Sequence, residues 1–406
     1  MSKYLSQIVK QDMNLDCSPN HVYMDLSMVN NDADSNKPPA NLFFAETRDK
    51  AIIDNPQEWY ITVARFHLDT FSCLPVFIPQ IQVNQVVTPT QPEDPNLTIY
   101  SFSIELEQTK GYHFPKTFFQ QYMNYAPQDG TQPKPQLPSV IGKQDLSSTY
   151  YYCMSNMYVV KLINQCLVDL YAKYKAYLVS VFFPAAQMPN LTNPPWIAYD
   201  NSSHQMIFNF DSAAFDPNLP VPLNLYCNTA MYNLLNSFEF VKFDTSGFGV
   251  GANYKLNVYN NNGINIMDMG TYTALQLYED YASVNQWSPV SSIVLCSNTL
   301  PITGTIQGAP IVFNGSTSSS SSGSNSMKVI SDFTVALDNN NSYRPSVDYS
   351  PNGIYRMVDM VGHQPILYYD INCYWKDHYN NFHVMTIGSG QSCDIKIMFR
   401  KKILGI

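Results

Sequence analysis

The stretch LYYDINCYWKDHYNNFHVMTIGSGQSCDIKIMFRKK, residues 367–402, decides the fold class. In it Leu367, Tyr369, Ile371, Cys373 and Trp375 share one side of an extended chain, and Ile395, Ile397 and Phe399 share one side of a second. A period of two is the pattern of a strand with one face buried. Working outward, LTIYSFSIEL at 97–106 sets Tyr100, Phe102, Ile104 and Leu106 against Ile99, Ser101, Ser103 and Glu105 in the same way. WYITVARFHL at 59–68 reads as apolar on both faces, as a strand inside a sandwich would be, and the Pro-punctuated CLPVFIPQIQV after it ends or bends that strand. The runs MIFNF, LNLYC and SFEFVKF read as further strands.

One segment breaks the rhythm. Between 156 and 179, Val159, Leu162, Ile163, Cys166, Leu167, Leu170 and Tyr174 recur three and four apart, while Lys161, Gln165, Asp169 and Lys173 take the opposite side. That is an amphipathic helix, with Ser155 placed to cap its start, and packing on its own domain is the expected use of its apolar stripe.

Composition agrees with a β-rich chain. Charged residues are only 14% of the 406, while 29 Tyr, 22 Phe and 27 Pro suit short strands and polar loops. The formal charge of −9 argues against a surface devoted to phosphate backbones, so nucleic acid is not an expected partner. The local cluster Arg400-Lys401-Lys402 is the exception, and a solvated tail is its simplest reading. Eight spread cysteines without a C-x-x-C pair suggest reduced, buried thiols and neither a zinc site nor a disulfide framework. The start MSKYLSQIVKQDMNLDCS lacks an apolar signal region, and no run of about 18 apolar residues spans a membrane. The expectation is a chain made inside the cell, in which the sequons at Asn96, Asn190, Asn201, Asn314 and Asn340 carry little meaning.

The organisation expected is mainly β: an N-terminal arm over 1–50, a jelly-roll sandwich built from 51–110 and 290–406, and an inserted region over 111–289 carrying the long α-helix. A second sandwich in series is the alternative for the inserted region. The first and last strands are expected to be neighbours. Residues 111–155 read as a long loop, and NGSTSSSSSGSNS at 314–326 as an exposed loop tip.

Chemistry is sparsely signalled. No P-loop, dinucleotide fingerprint, nucleophile elbow or H-E-x-x-H occurs. KDHYNNFH offers Asp377, His378 and His383 around a hairpin turn as a metal candidate, against the commoner reading of a polar turn without ligand. Asp200, Ser203 and His204 have the residue types of a hydrolase triad, but such triads draw each group from a separate element. Trp59, Trp196, Trp287 and Trp375 would serve a carbohydrate-binding sandwich if exposed, whereas aromatics alternating within strands are mostly core or interface. No catalytic, metal or cofactor residue is therefore assigned, and the chain is not expected to be an enzyme.

Several segments in order carry a resemblance. They are LFFAETRDKAIIDNPQEWYITVARFHLDTFSCLPVFIPQIQ at 42–82, PPWIAYDNSSHQMIFNF at 194–210, LYCNTAMYNLLNSF at 225–238, QWSPVSSIVLCSNTLPI at 286–302, VISDFTVAL at 329–337, and YSPNGIYRMVDMVGHQPILYYDINCYWKDHYNNFHVMTI with CDIKIMFRKK near the end. Together they resemble the minor capsid, or penton, proteins of Polinton-like viruses, adintoviruses and virophages, of the double-jelly-roll lineage. The resemblance implies a virion protein with a jelly-roll fold that forms homopentamers at fivefold vertices beside trimers of a double-jelly-roll major capsid protein. It brings no catalytic residues. Another capsid or attachment protein, or a carbohydrate-binding β-sandwich, is the competing reading. The Pro- and Gln-rich excursion at 113–147 and the poly-Ser run depart from the pattern.

Overall fold

The computed structural model describes residues 20–31, 40–70, 73–83, 85, 88, 93–106, 119–128, 130–135, 146, 148–181, 191–243, 252–306, 311–314, 317–320, 326–335, 346–350 and 356–402. The chain groups into two compact units. One holds Met1–Cys73, Ser291–Val335 and Pro345–Ile406, the other Leu74–Val290 and Ala336–Arg344.

Eight principal strands build the first unit. In chain order they are His21–Val29, Phe43–Thr47, Trp59–Asp69, Val290–Cys296, Val329–Phe333, Ser346–Tyr349, Tyr368–Asp377 and Ser392–Lys401. The first, eighth, third and sixth lie side by side in one sheet, and the second, seventh, fourth and fifth in another. This order is the double Greek key of a jelly roll. As the jelly-roll reading expects, the first and last strands are neighbours, paired antiparallel from His21–Arg400 to Val29–Ser392.

The core lies between the two sheets. Phe66 of the third strand meets Phe333 of the fifth, ring centroids 5.2 Å apart. Ile61, Val63, Phe66, Leu68, Ile395, Ile397 and Phe399 are buried with Tyr369, Ile371, Cys373 and Trp375. Each such side chain removes apolar area worth about 1.5–3 kcal/mol. Leu367, expected on the same face, is exposed because it precedes the strand, which begins at Tyr368.

The third strand corrects the reading of two apolar faces. Its pairing with the last strand runs Lys396–Arg65 and then Ile397–Val63, so Ala64 is an extra residue. This β-bulge resets the alternation. Ile61 and Val63 before it, and Phe66 and Leu68 after it, consequently point into the same core, while Tyr60, Ala64, Arg65 and His67 are not buried.

The second unit has its own pair of sheets. Five strands run in the order Phe240–Lys242, Tyr254–Leu256, Leu223–Cys227, Leu97–Leu106 and Phe119–Asn124, and four in the order Ile266–Asp268, Thr273–Tyr278, Met206–Asp211 and Trp196–Tyr199. Phe102 and Phe208 join them edge to face at 6.4 Å, and Phe208 stacks on Phe210 at 4.8 Å. The Phe-rich composition is thus spent on core.

The helix Asn156–Val181 covers edge strands of both sheets. Every residue of its predicted stripe is buried, and the Ser155 carbonyl accepts the N–H groups of Tyr158 and Val159. Asn164 bonds both backbone groups of Ile197, donating to its carbonyl at 2.9 Å and accepting its N–H at 2.7 Å. At the other sheet, Lys173 and Cys166 reach the Gln121 side-chain and backbone oxygens. Side chains of one helix therefore satisfy strand edges that would otherwise invite foreign pairing.

Glu279 is the second unit's buried acid. Burial pushes its carboxyl up, against hydrogen bonds from Ser237, Ser283 and the Met206 N–H. A carboxyl raised in the fold contributes most when protonated, and that contribution fades as pH rises through the folded value. Glu279→Gln is expected to flatten the pH dependence of thermal unfolding as pH rises above the ordinary carboxylate range, about pH 4; unchanged curvature would show that another group sets it.

Several expectations on organisation need correction. His21–Val29 and Phe43–Thr47, assigned to an arm, are jelly-roll strands. Leu97–Leu106, assigned to the jelly roll, pairs with Leu223–Cys227 in the second unit, whose boundary falls at Leu74 and not at 111. Phe119–Asn124 is a strand within the expected loop. In the poly-Ser region Ile311–Asn314 pairs with Thr317–Ser320, while 315–316 and 321–325 lie outside the described residues, as do 1–19 and 32–39 of the expected arm and much of the 113–147 excursion.

Candidate functional site

The residues singled out for chemistry take structural roles. In KDHYNNFH, Asp377 is buried and accepts the N–H groups of Tyr379 and Asn381, the Asn381 amide, and the His383 ring at 3.0 Å. Burial alone would raise its carboxyl, but those hydrogen bonds outweigh it and hold the group below the usual range. His383 is buried and stacks on Trp375 at 4.0 Å. His378 is exposed at the turn, so the two histidines are not brought together. Among the described residues no three His, Cys, Asp or Glu side chains form a metal-holding group.

Asp200, Ser203 and His204 form the turn between Trp196–Tyr199 and Met206–Asp211. Asp200 accepts backbone and hydroxyl donors of Ser202 and Ser203, which bring its carboxyl down to about 2. His204 turns its Nδ1 to the Tyr199 hydroxyl at 3.0 Å, away from the serine. The order of a relay is absent.

Trp59, Trp287 and Trp375 are buried. Trp287 donates to the Leu234 carbonyl, and the half-buried Trp196 to the Tyr272 hydroxyl. The basic end is likewise part of the sandwich: Arg400 pairs with His21 and Tyr60 in the sheet, and Lys402 Nζ meets Asp359 at 2.7 Å and lies over the Tyr60 ring.

What the sequence did not signal is a groove on the open side of the jelly roll. It holds about 670 Å³ between the first strand and residues 46–52, with Val22, Met24, Asp25, Arg48, Lys50 and Ile52 on its walls. The first strand is the edge of its sheet, and the second, Phe43–Thr47, lies at the edge of the other. Glu46, at the end of the second strand, accepts the Tyr369 hydroxyl at 2.6 Å and Arg48 at 3.2 Å, and both bonds lower its carboxyl. The groove therefore joins a backbone edge to a mostly polar lining with charge of both signs, in which Val22, Met24 and Ile52 are the apolar part.

Among the described residues, the clusters at 200–204 and 377–383 are turns of a β-sandwich protein whose jelly roll presents its first strand as an edge. No helix among the described residues is long and apolar enough to cross a membrane. The sequence matches the family described as Sputnik minor capsid protein V18/19 over residues 22–401, and the chain belongs to that family. It is 26% identical to Structural protein V19 of Sputnik virophage over 213 residues, 51% of this chain and 94% of that protein. Its fold is similar to a chain in the cryo-EM structure of the Sputnik virophage, with TM-score 0.75 and 24% identity over 95% of this chain and 99% of that one. It is also similar to the crystal structure of the mavirus penton protein, with TM-score 0.59 and 15% identity over 94% and 100%. The chain is a minor capsid protein, a structural component of a virion, as the resemblance implied.

Proposed function

We propose that this minor capsid protein is the penton: five copies close a ring at each fivefold vertex, bounded by double-jelly-roll major capsid proteins, and the chain works by assembly and not by catalysis. The observation that carries the reading is that its jelly roll, with a second unit set between the third and fourth strands, follows the whole length of the mavirus penton protein. In this reading residues 74–290 are a domain inserted in the jelly roll. Cyclic closure asks for two different patches on one rigid body, and a sandwich with distinct edges supplies them.

The test is the mass of the purified chain by light scattering with negative-stain imaging. A ring of about 230 kDa, five copies of the 46.1 kDa chain, is the expected result. A stable trimer, or a monomer that stays monomeric on co-expression with the major capsid protein, would overturn it.

A further inference from the structure

We propose that the outer edge of His21–Val29 is a strand-addition site, and that residues 8–17 of a second copy of this chain occupy it. The inference rests on the ring reading and names the contact between neighbours. His21–Val29 uses one edge to pair along its whole length with Ser392–Arg400, and among the described residues no strand pairs with the other. Alternate residues of its nine turn their backbone N–H and C=O to that edge, and Val22–Asp25 of the strand line the groove. An extended segment takes such an edge by main-chain hydrogen bonds and sets alternate side chains in the space beside it.

The chain carries a segment of that kind. In residues 8–17, IVKQDMNLDC, the odd positions Val9, Met13, Leu15 and Cys17 are apolar, and the even positions Lys10, Asp12, Asn14 and Asp16 are polar. Ile8 is the one apolar residue of the even set and Gln11 the one polar residue of the odd set, and Gln11 is uncharged, so the apolar side asks for no ion to be buried. The added strand would continue the face on which Met24 and Leu26 are buried. Its Lys10, Asp12 and Asp16 meet a groove that itself carries charge of both signs, Arg48 and Lys50 with Asp25, Glu46 and Asp49. The groove's own acids, apart from Asp49, have partners: Glu46 bonds Tyr369 and Arg48, and Asp25 bonds Lys396 at 3.3 Å.

The link decides between the chain's own edge and a neighbour's. A reversal onto the same molecule would have to be made within Ser18, Pro19 and Asn20. Two-residue hairpin turns need positive φ, which proline denies, and the three-residue kind needs a helical residue where Pro19 holds Ser18 extended. Extended, the same three residues reach about 10 Å, so the edge taken is that of a directly adjoining subunit. Exchange of one strand in a constant direction also closes a ring.

Cross-linking tests this in the full chain. The seven described cysteines are all buried, so Cys17 and one introduced thiol direct the reagent. Two differently tagged chains are co-expressed, one with Cys17 intact, the other carrying Cys17→Ser and Lys50→Cys, and treated with a short bismaleimide. The expected result is a covalent heterodimer carrying both tags. Its absence from a preparation that forms rings overturns strand exchange and leaves the penton reading standing. A third chain with both Cys17 and Lys50→Cys that links only within itself overturns it in favour of the chain's own edge. A preparation that forms no rings, alone or with the major capsid protein, overturns the penton reading and this inference with it.

Discussion

Asp370→Ala is expected to destabilise the jelly roll by about 3–5 kcal/mol, the loss implied by two or more hydrogen bonds to a charged group at about 1.5–3 kcal/mol each. The Asp370 carboxylate is buried in the seventh strand and holds the turn that follows the fourth. It accepts the Ser297 and Thr299 hydroxyls at 2.7 and 2.6 Å, the N–H groups of Asn298 and Thr299 at 3.0 and 2.9 Å, and the Asn372 amide at 2.8 Å. Alanine leaves the Asn298 N–H without an acceptor and the Thr299 N–H with only the Ser297 hydroxyl at 3.2 Å, and a stranded donor costs about 1–3 kcal/mol. Burial pushes the carboxyl up, but these bonds win and bring it to about 2. A value depressed in the fold means stability fully present above the unfolded carboxyl, near pH 4, and lost as pH falls toward 2, in all about 2 kcal/mol. Thermal unfolding at about pH 7 and pH 2 checks this: the gap between wild type and variant should narrow at the lower pH. Equal stability near neutrality would show that the turn holds itself. Hydrogen exchange at Asn298 and Thr299 should quicken in the variant.

Trp375→Ala is expected to cost about 3–5 kcal/mol, with Trp375→Phe well below that. It is 0% exposed near the end of the seventh strand, and its side chain stacks on His383. Removing it leaves a void in a close-packed interior, and it also takes away the surface against which the His383–Asp377 bond is held. The turn from Asp377 to Asn381 should then loosen. Chemical denaturation and limited proteolysis at that turn are the measurements. A variant that unfolds at the wild-type midpoint would mean that the indole is not part of the core.

These two positions differ in how visible they are in the sequence. Trp375 belongs to a run of alternating apolar residues, and its burial follows from period two alone. Asp370 sits in the same strand on the outward parity, where an acid ordinarily faces water, and nothing local marks it as buried. Its partners in the turn lie 71 to 73 residues earlier, and only folding brings them together. His378 and His383 show the same limit, since one hairpin places the first outside and the second in the core.

The sequence by itself determined the elements whose causes are local. The stripe from Val159 to Tyr174 made a helix, the alternation at 367–402 made two half-buried strands, and the low charge with many aromatics made the chain mainly β. Tertiary structure decided what depends on distant backbone. The order first, eighth, third, sixth rests on pairings such as His21 with Arg400, and the shift at Ala64 is visible only against the last strand. The boundary at Leu74 follows from where Leu97–Leu106 finds partners. Side-chain periodicity records which face of a strand is buried. It does not record which strand lies beside it, because the main-chain hydrogen bonds that choose the neighbour are the same for every residue except proline.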